Sequence, residues 1–69
     1  MVEIFKTDIS QKKAAKPLVE MLSQSLPGHR IDLDLEDCDK VLRIEGQSIS
    51  PEEIINMLRK EGFQCSILE

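Results

Sequence analysis

The chain has no tryptophan and no tyrosine, and its 69 residues include two phenylalanines, three glycines, three prolines and two cysteines. Each scarcity excludes something. Two cysteines, Cys38 and Cys65, cannot make a disulfide framework; with no export signal in view, free thiols in a reducing cytoplasm are expected. No apolar run approaches the roughly 20 residues of a membrane helix. Met1 to Lys6 is not a basic stretch followed by an apolar one, so no signal peptide is expected either. Cations are in deficit, with 9 Lys plus Arg against 13 Asp plus Glu and a net charge of −4. That balance argues against nucleic acid, whose phosphates need a cationic surface.

What remains is 41% hydrophobic and 32% charged, the composition of a soluble globular domain. One domain over residues 1–69 is expected. So short a chain buries only about 60% of its unfolded surface, which leaves little apolar area for an enclosed active site.

Val2 to Thr7 is β-rich and short, with Val2 and Ile4 on one face, and is followed by the break Asp8-Ile9-Ser10-Gln11. Ala15, Leu18, Val19, Leu22 and Leu26 recur at helical spacing. Because proline is tolerated only in a helix's first turn, Pro17 predicts a start near Lys13 or Ala14, and Pro27-Gly28 ends the helix. Arg30 to Glu36 alternates as a strand, with Ile31, Leu33 and Leu35 opposite Asp32, Asp34 and Glu36. Residues 37–40 form a turn and Val41 to Glu45 returns. Pairing Glu36 with Val41 sets Leu35 against Leu42, Leu33 against Ile44 and Asp34 against Arg43.

Ser50, Pro51 and Glu53 make a capping box at the start of a second helix, with Ile49 and Ile54 placed as a hydrophobic staple. Ile54, Met57 and Leu58 are its buried stripe and Gly62 stops it; Phe63, Cys65 and Ile67 alternate as a last strand. Right-handed crossovers then give a ferredoxin-like βαββαβ sandwich, a four-stranded antiparallel sheet with two helices on one face. This topology gathers residues 8–12, the 37–40 turn and Gly62 at one end. Lys6, Lys12, Lys13 and Lys16 and the acids Asp32, Asp34, Glu36, Asp37 and Asp39 thus share an end, toward opposite sheet edges.

Leu26-Pro27-Gly28, the strand Ile31-Asp32-Leu33-Asp34-Leu35 and Glu61-Gly62-Phe63 carry a resemblance. The chain resembles the heavy-metal-associated domains of copper chaperones and metal-pumping ATPases. In that family a Met-x-Cys-x-x-Cys motif in the first loop holds a soft ion through two thiolates. Counted back from Leu26, the resemblance puts the cysteine slots on Lys12 and Ala15 and the methionine slot on or near Ser10. An ammonium and a methyl cannot replace two thiolates, so no metal and no cofactor is expected there.

Other candidates compete with ordinary structural roles. Cys65 falls on an inward strand position, where free cysteine is usually a small core residue. Cys38 lies in an acidic turn whose neighbours disfavour its thiolate. Edge strands three intervals apart, about 14 Å, keep it from sharing an ion with Cys65. Lys12, Lys13 and Lys16 can steer a protein partner with an acidic surface or simply be solubilising charge. His29 has no companion ligand and is expected at the surface, and no residue set supports catalysis.

Two functions follow: a non-enzymatic interaction or regulatory module, acting as a monomer or weak dimer, and heavy-metal trafficking through unorthodox ligands such as Cys38. RNA binding lacks aromatics on the third strand. An acylphosphatase-like enzyme would need an arginine in the first loop for its phosphate cradle, and this first loop has none. A small-molecule sensor would require dimerisation.

Overall fold

The computed structural model describes residues 1–68. The elements run β1 (Val2–Thr7), α1 (Lys12–Ser25), β2 (Arg30–Asp34), β3 (Val41–Glu45), α2 (Pro51–Lys60) and β4 (Cys65–Ile67). The sheet order is β2-β3-β1-β4 and every pairing is antiparallel. This is the ferredoxin-like sandwich expected from the pattern.

Phe5, Leu42 and Ile44 from the two interior strands meet Leu18 and Leu22 of α1 and Ile54 and Leu58 of α2 in one core. Val2 and Ile4 do share a face, but it is the helix-free one: they are 44% and 38% exposed, while Phe5 is fully buried. Strand alternation makes these facts one fact.

Local chemistry sets the connections. Leu26-Pro27-Gly28-His29 is a type II turn, closed by the His29 N–H donating to the Leu26 carbonyl at 3.1 Å, with Gly28 at φ 83°. α2 ends in a Schellman motif: Phe63 N–H reaches the Leu58 carbonyl and Gly62 N–H that of Arg59, each at 3.0 Å, with Gly62 at φ 90°.

Four details differ from the sequence expectation. α1 starts at Lys12, which puts Pro17 in its second turn and denies a donor to the carbonyl of Lys13; Lys13 is exposed, so water can take that place. Ser50, Pro51 and Glu53 occupy the predicted places, but Ser50 makes no side-chain cap hydrogen bond. The staple residues Ile49 and Ile54 are nevertheless both buried.

β2 stops at Asp34, and the hairpin register is shifted by two: Leu33 faces Leu42, Ile31 faces Ile44 and Asp32 faces Arg43. A two-residue slip leaves every side chain on its own face, so hydropathy cannot detect it. Side-chain turns decide it instead. Asp34 Oδ1 accepts the Glu36 N–H at 3.0 Å and Asp37 Oδ1 accepts the Asp39 N–H at 2.8 Å, which makes 35–40 a structured loop. Finally, Arg43 pairs along its own strand with Glu45 (3.6 Å) and Asp32 with Arg30 (3.2 Å), in place of an Asp34–Arg43 pair.

Candidate functional site

The end of the sheet that gathers residues 8–11, 35–40 and 62–64 is tied together by β1. The Thr7 hydroxyl donates to the Lys40 carbonyl at 2.6 Å and accepts the Ile9 N–H at 3.3 Å. Thr7 N–H donates to the Asp39 carbonyl at 3.1 Å. On the other side, Asp8 Oδ1 accepts the Gln64 N–H at 2.9 Å. Ile9, in the middle of a polar loop, is fully buried and joins the core. An apolar plug fixed directly after two hydrogen-bonded residues, Thr7 and Asp8, leaves Ser10 and Gln11 facing water.

α1 begins from this pinned loop. Its N-cap, Gln11, makes no side-chain cap hydrogen bond, and its first turn holds no acid. Lys12 and Lys13 stand there instead, with Lys16 one turn on, and all three are exposed. Among the described residues none of them has a carboxylate within ion-pair distance. Ala15, half-buried, packs against the core. Cations at the positive end of a helix dipole cost stability, about 0.3–1 kcal/mol each. The arrangement therefore favours an external anion over the helix itself.

The acidic loop adjoins this region. The expectation of opposite sheet edges is corrected here: β1 is an interior strand, and Asp39 both bonds to Thr7 and lies 3.8 Å from Lys6 Nζ. The ligand atoms of Asp37, Cys38 and Asp39 lie within 4.8 Å of one another. Cys38 is exposed. Lys40 holds a positive φ of 49° and donates its ammonium to the Leu35 carbonyl at 2.8 Å, closing the loop from inside.

Cys65 is a different kind of thiol. It pairs with Thr7 across β1 and β4, on the inner face, and is half-buried. Burial pushes its pKa up from an ordinary 9.0 to about 11. Together with Lys6, Asp8, Arg59 and Phe63 it lines a cleft of about 630 Å³. It joins no cluster of three or more metal-ligating groups among the described residues.

His29 is not a loose surface residue. Its Nε2 lies 2.6 Å from the Ser48 carbonyl oxygen and its Nδ1 3.3 Å from that of Pro27, at the opposite end of the sheet. Two backbone carbonyls leave it no role as a ligand or base in the first loop. No hydropathy or charge pattern marks His29 or Ile9; only the backbone path brings their partners to them.

No family model matches the chain, and no curated protein matches it. Among solved structures, the fold is similar to that of the yeast copper transporter domain Ccc2A, determined in solution in apo and Cu(I)-loaded states. The TM-score is 0.80 at 17% identity, over 99% of this chain and 94% of that one. At that identity the likeness is one of fold. No helix among the described residues is long and apolar enough to cross a membrane.

Proposed function

We propose that this chain is a non-enzymatic interaction or regulatory module built on a metallochaperone-type scaffold. It uses the basic start of α1, Lys12, Lys13 and Lys16, to dock a protein partner with an acidic surface. The observation that carries this is the uncapped, acid-free first turn with exposed Lys12 and Lys13 and with Lys16 one turn on, none of them at ion-pair distance from a carboxylate among the described residues. A helix N-terminus already offers N–H donors to an anion, and the ammonium groups add to that field. Both cysteines lie elsewhere, at 38 and 65. The resemblance would have this loop present two thiolates; Lys12 and Ala15 stand in those positions.

That the module is non-enzymatic rests on the histidine. It is the chain's one imidazole, and its ring nitrogens face backbone carbonyls. Among the described residues the ring's hydrogen bonds run to the Pro27 and Ser48 carbonyls and to no side-chain hydroxyl or thiol.

The test is a titration of the full chain with a short polyglutamate peptide, followed by amide chemical shifts. Salt-sensitive, saturable shifts centred on residues 10–16, lost on reversing Lys12, Lys13 and Lys16 to Glu, support the reading. Shifts centred anywhere else, or unchanged binding by the reversed variant, overturn it.

A second reading has one observation in its favour: the Asp37, Cys38 and Asp39 ligand atoms lie within 4.8 Å. A thiolate and two carboxylates suit Zn²⁺ better than Cu(I), which prefers sulfur alone. Cys38→Ser should abolish such binding, and binding unchanged by that substitution rules this route out.

A further inference from the structure

β2 lies at an edge of the sheet and, among the described residues, pairs only with β3. Its inward residues are incompletely covered. Ile31, Leu33 and Leu35 are half-buried, whereas the inward residues of β3, Leu42 and Ile44, are fully buried. The uncovered area forms a groove of about 560 Å³ between β2 and α1, floored by Ile31, Leu33, Leu35, Ala15 and Val19. Val19 belongs to the apolar stripe of α1, yet it too is only half-buried.

Natural edge strands are usually protected by bulges, prolines or inward-pointing charges. Between Arg30 and Asp34 there is no proline, the pairing with β3 is continuous and the inward positions are apolar. The charges stand on the outer face. There β2 presents Arg30, Asp32 and Asp34, followed by Glu36 in the loop; Arg30 already pairs with Asp32 at 3.2 Å. The remaining outer charge is negative.

We propose that β2 is a docking edge for an extended segment of a partner protein in which apolar and basic residues alternate. The segment adds to β2 as a fifth strand. Its apolar side chains enter the groove under α1, and its Lys or Arg side chains lie on the helix-free face opposite Asp34 and beside Asp32. Period-two alternation makes the two requirements one sequence pattern. Lys12 and Lys16 rim the groove on the helix side. They face the guest's apolar row, along which their methylene stems can lie, and not its basic row. A second copy of β2 fits less well. Its most hydrophobic register, Leu33 on Leu33, would set Asp32 against Asp34 twice, and like charges directly opposite are destabilising.

The groove shares Lys12 and Lys16 at its rim with the lysine docking described above, but its occupant is basic and its test uses no acidic ligand. The probe is an acetylated, amidated peptide of about seven residues alternating Lys and Val, matched to the length of 30–36. It is titrated into the isotopically labelled full chain. The expected result is saturable binding, with amide shifts concentrated on residues 30–36, Ala15 and Val19. Affinity should fall about tenfold when Glu replaces Lys in the peptide, the sum of two or three cross-strand charge pairs. It should fall at least as far when alternate peptide nitrogens are methylated, and likewise with Asp32→Lys in the protein. Equal binding by a block peptide of the same composition, shifts centred on residues 37–39, or no saturation overturns the proposal. So does concentration-dependent shifting of the β2 amides without peptide, which would make a second copy the occupant.

Discussion

The imidazole of His29 occupies the space a side chain at Gly46 would need: a β-carbon there would come within 2.2 Å of the ring. The ring is held by its hydrogen bond to the Ser48 carbonyl, so it cannot turn aside without giving that bond up. Gly46→Ala should cost about 1–2 kcal/mol, the value of a lost hydrogen bond with local repacking. For a domain of this size that lowers Tm by roughly 4–16 °C. In a His29→Ala background the penalty should largely vanish. A thermal-melt double-mutant cycle checks this; additive costs would mean that the two residues do not touch.

Gly62 makes an informative contrast. Among the described residues nothing lies within 4 Å of a β-carbon built there, but its φ is 90°. Gly62→Ala should still destabilise, by about 1 kcal/mol, through backbone strain alone. Substitution at Leu58 should not relieve it, because no side chain causes it.

Lys13→Glu should stabilise the fold while damaging its proposed use. An acid in the first turn of α1 interacts favourably with the helix dipole where a lysine does not, a gain of about 0.5–2 kcal/mol for the reversal. Urea melts should shift to higher midpoint with unchanged slope, and affinity for an acidic peptide should fall. A stability loss would show that the lysine has an intramolecular partner.

The two thiols should separate under alkylation. Cys38 is exposed, while burial holds Cys65 protonated up to about pH 11. At pH 8, iodoacetamide should modify Cys38 first and Cys65 only slowly, as mass spectrometry of timed digests would show. The same burial has an alkaline consequence. With the folded value raised above 9.0, the folded state holds its proton longer than the unfolded chain. The stabilisation is complete below pH 9 and is lost as pH rises toward about 11. Cys65→Ala should flatten that part of the stability profile.

Much of this was legible in the sequence, for reasons that also explain the rest. Leu18, Leu22, Ile54 and Leu58 lie where helical spacing put them, because period and burial are two views of one amphipathic surface. Pro27-Gly28 and Gly62 close their helices through positive-φ glycines. The hairpin register was not legible. Slipping β2 against β3 by two residues conserves the face of Leu33, and the deciding hydrogen bonds belong to Asp34 and Asp37. The site was legible as composition, three lysines and no cysteine near the first loop, but its anchoring was not. Ile9 looked like part of a polar break, and its burial depends on Thr7 being fixed by Lys40, which is distant in sequence.

On the proposed reading, the first loop and the start of α1 bind an acidic surface and not a soft metal ion. Titrating the reduced full chain with Cu(I) against a competing chelator, with amide shifts followed at residues 8–16, tests it most directly. Neither stoichiometric binding tighter than about micromolar nor shifts in that loop are expected. Tight one-to-one binding by the monomer, with shifts centred on residues 8–16, would contradict it.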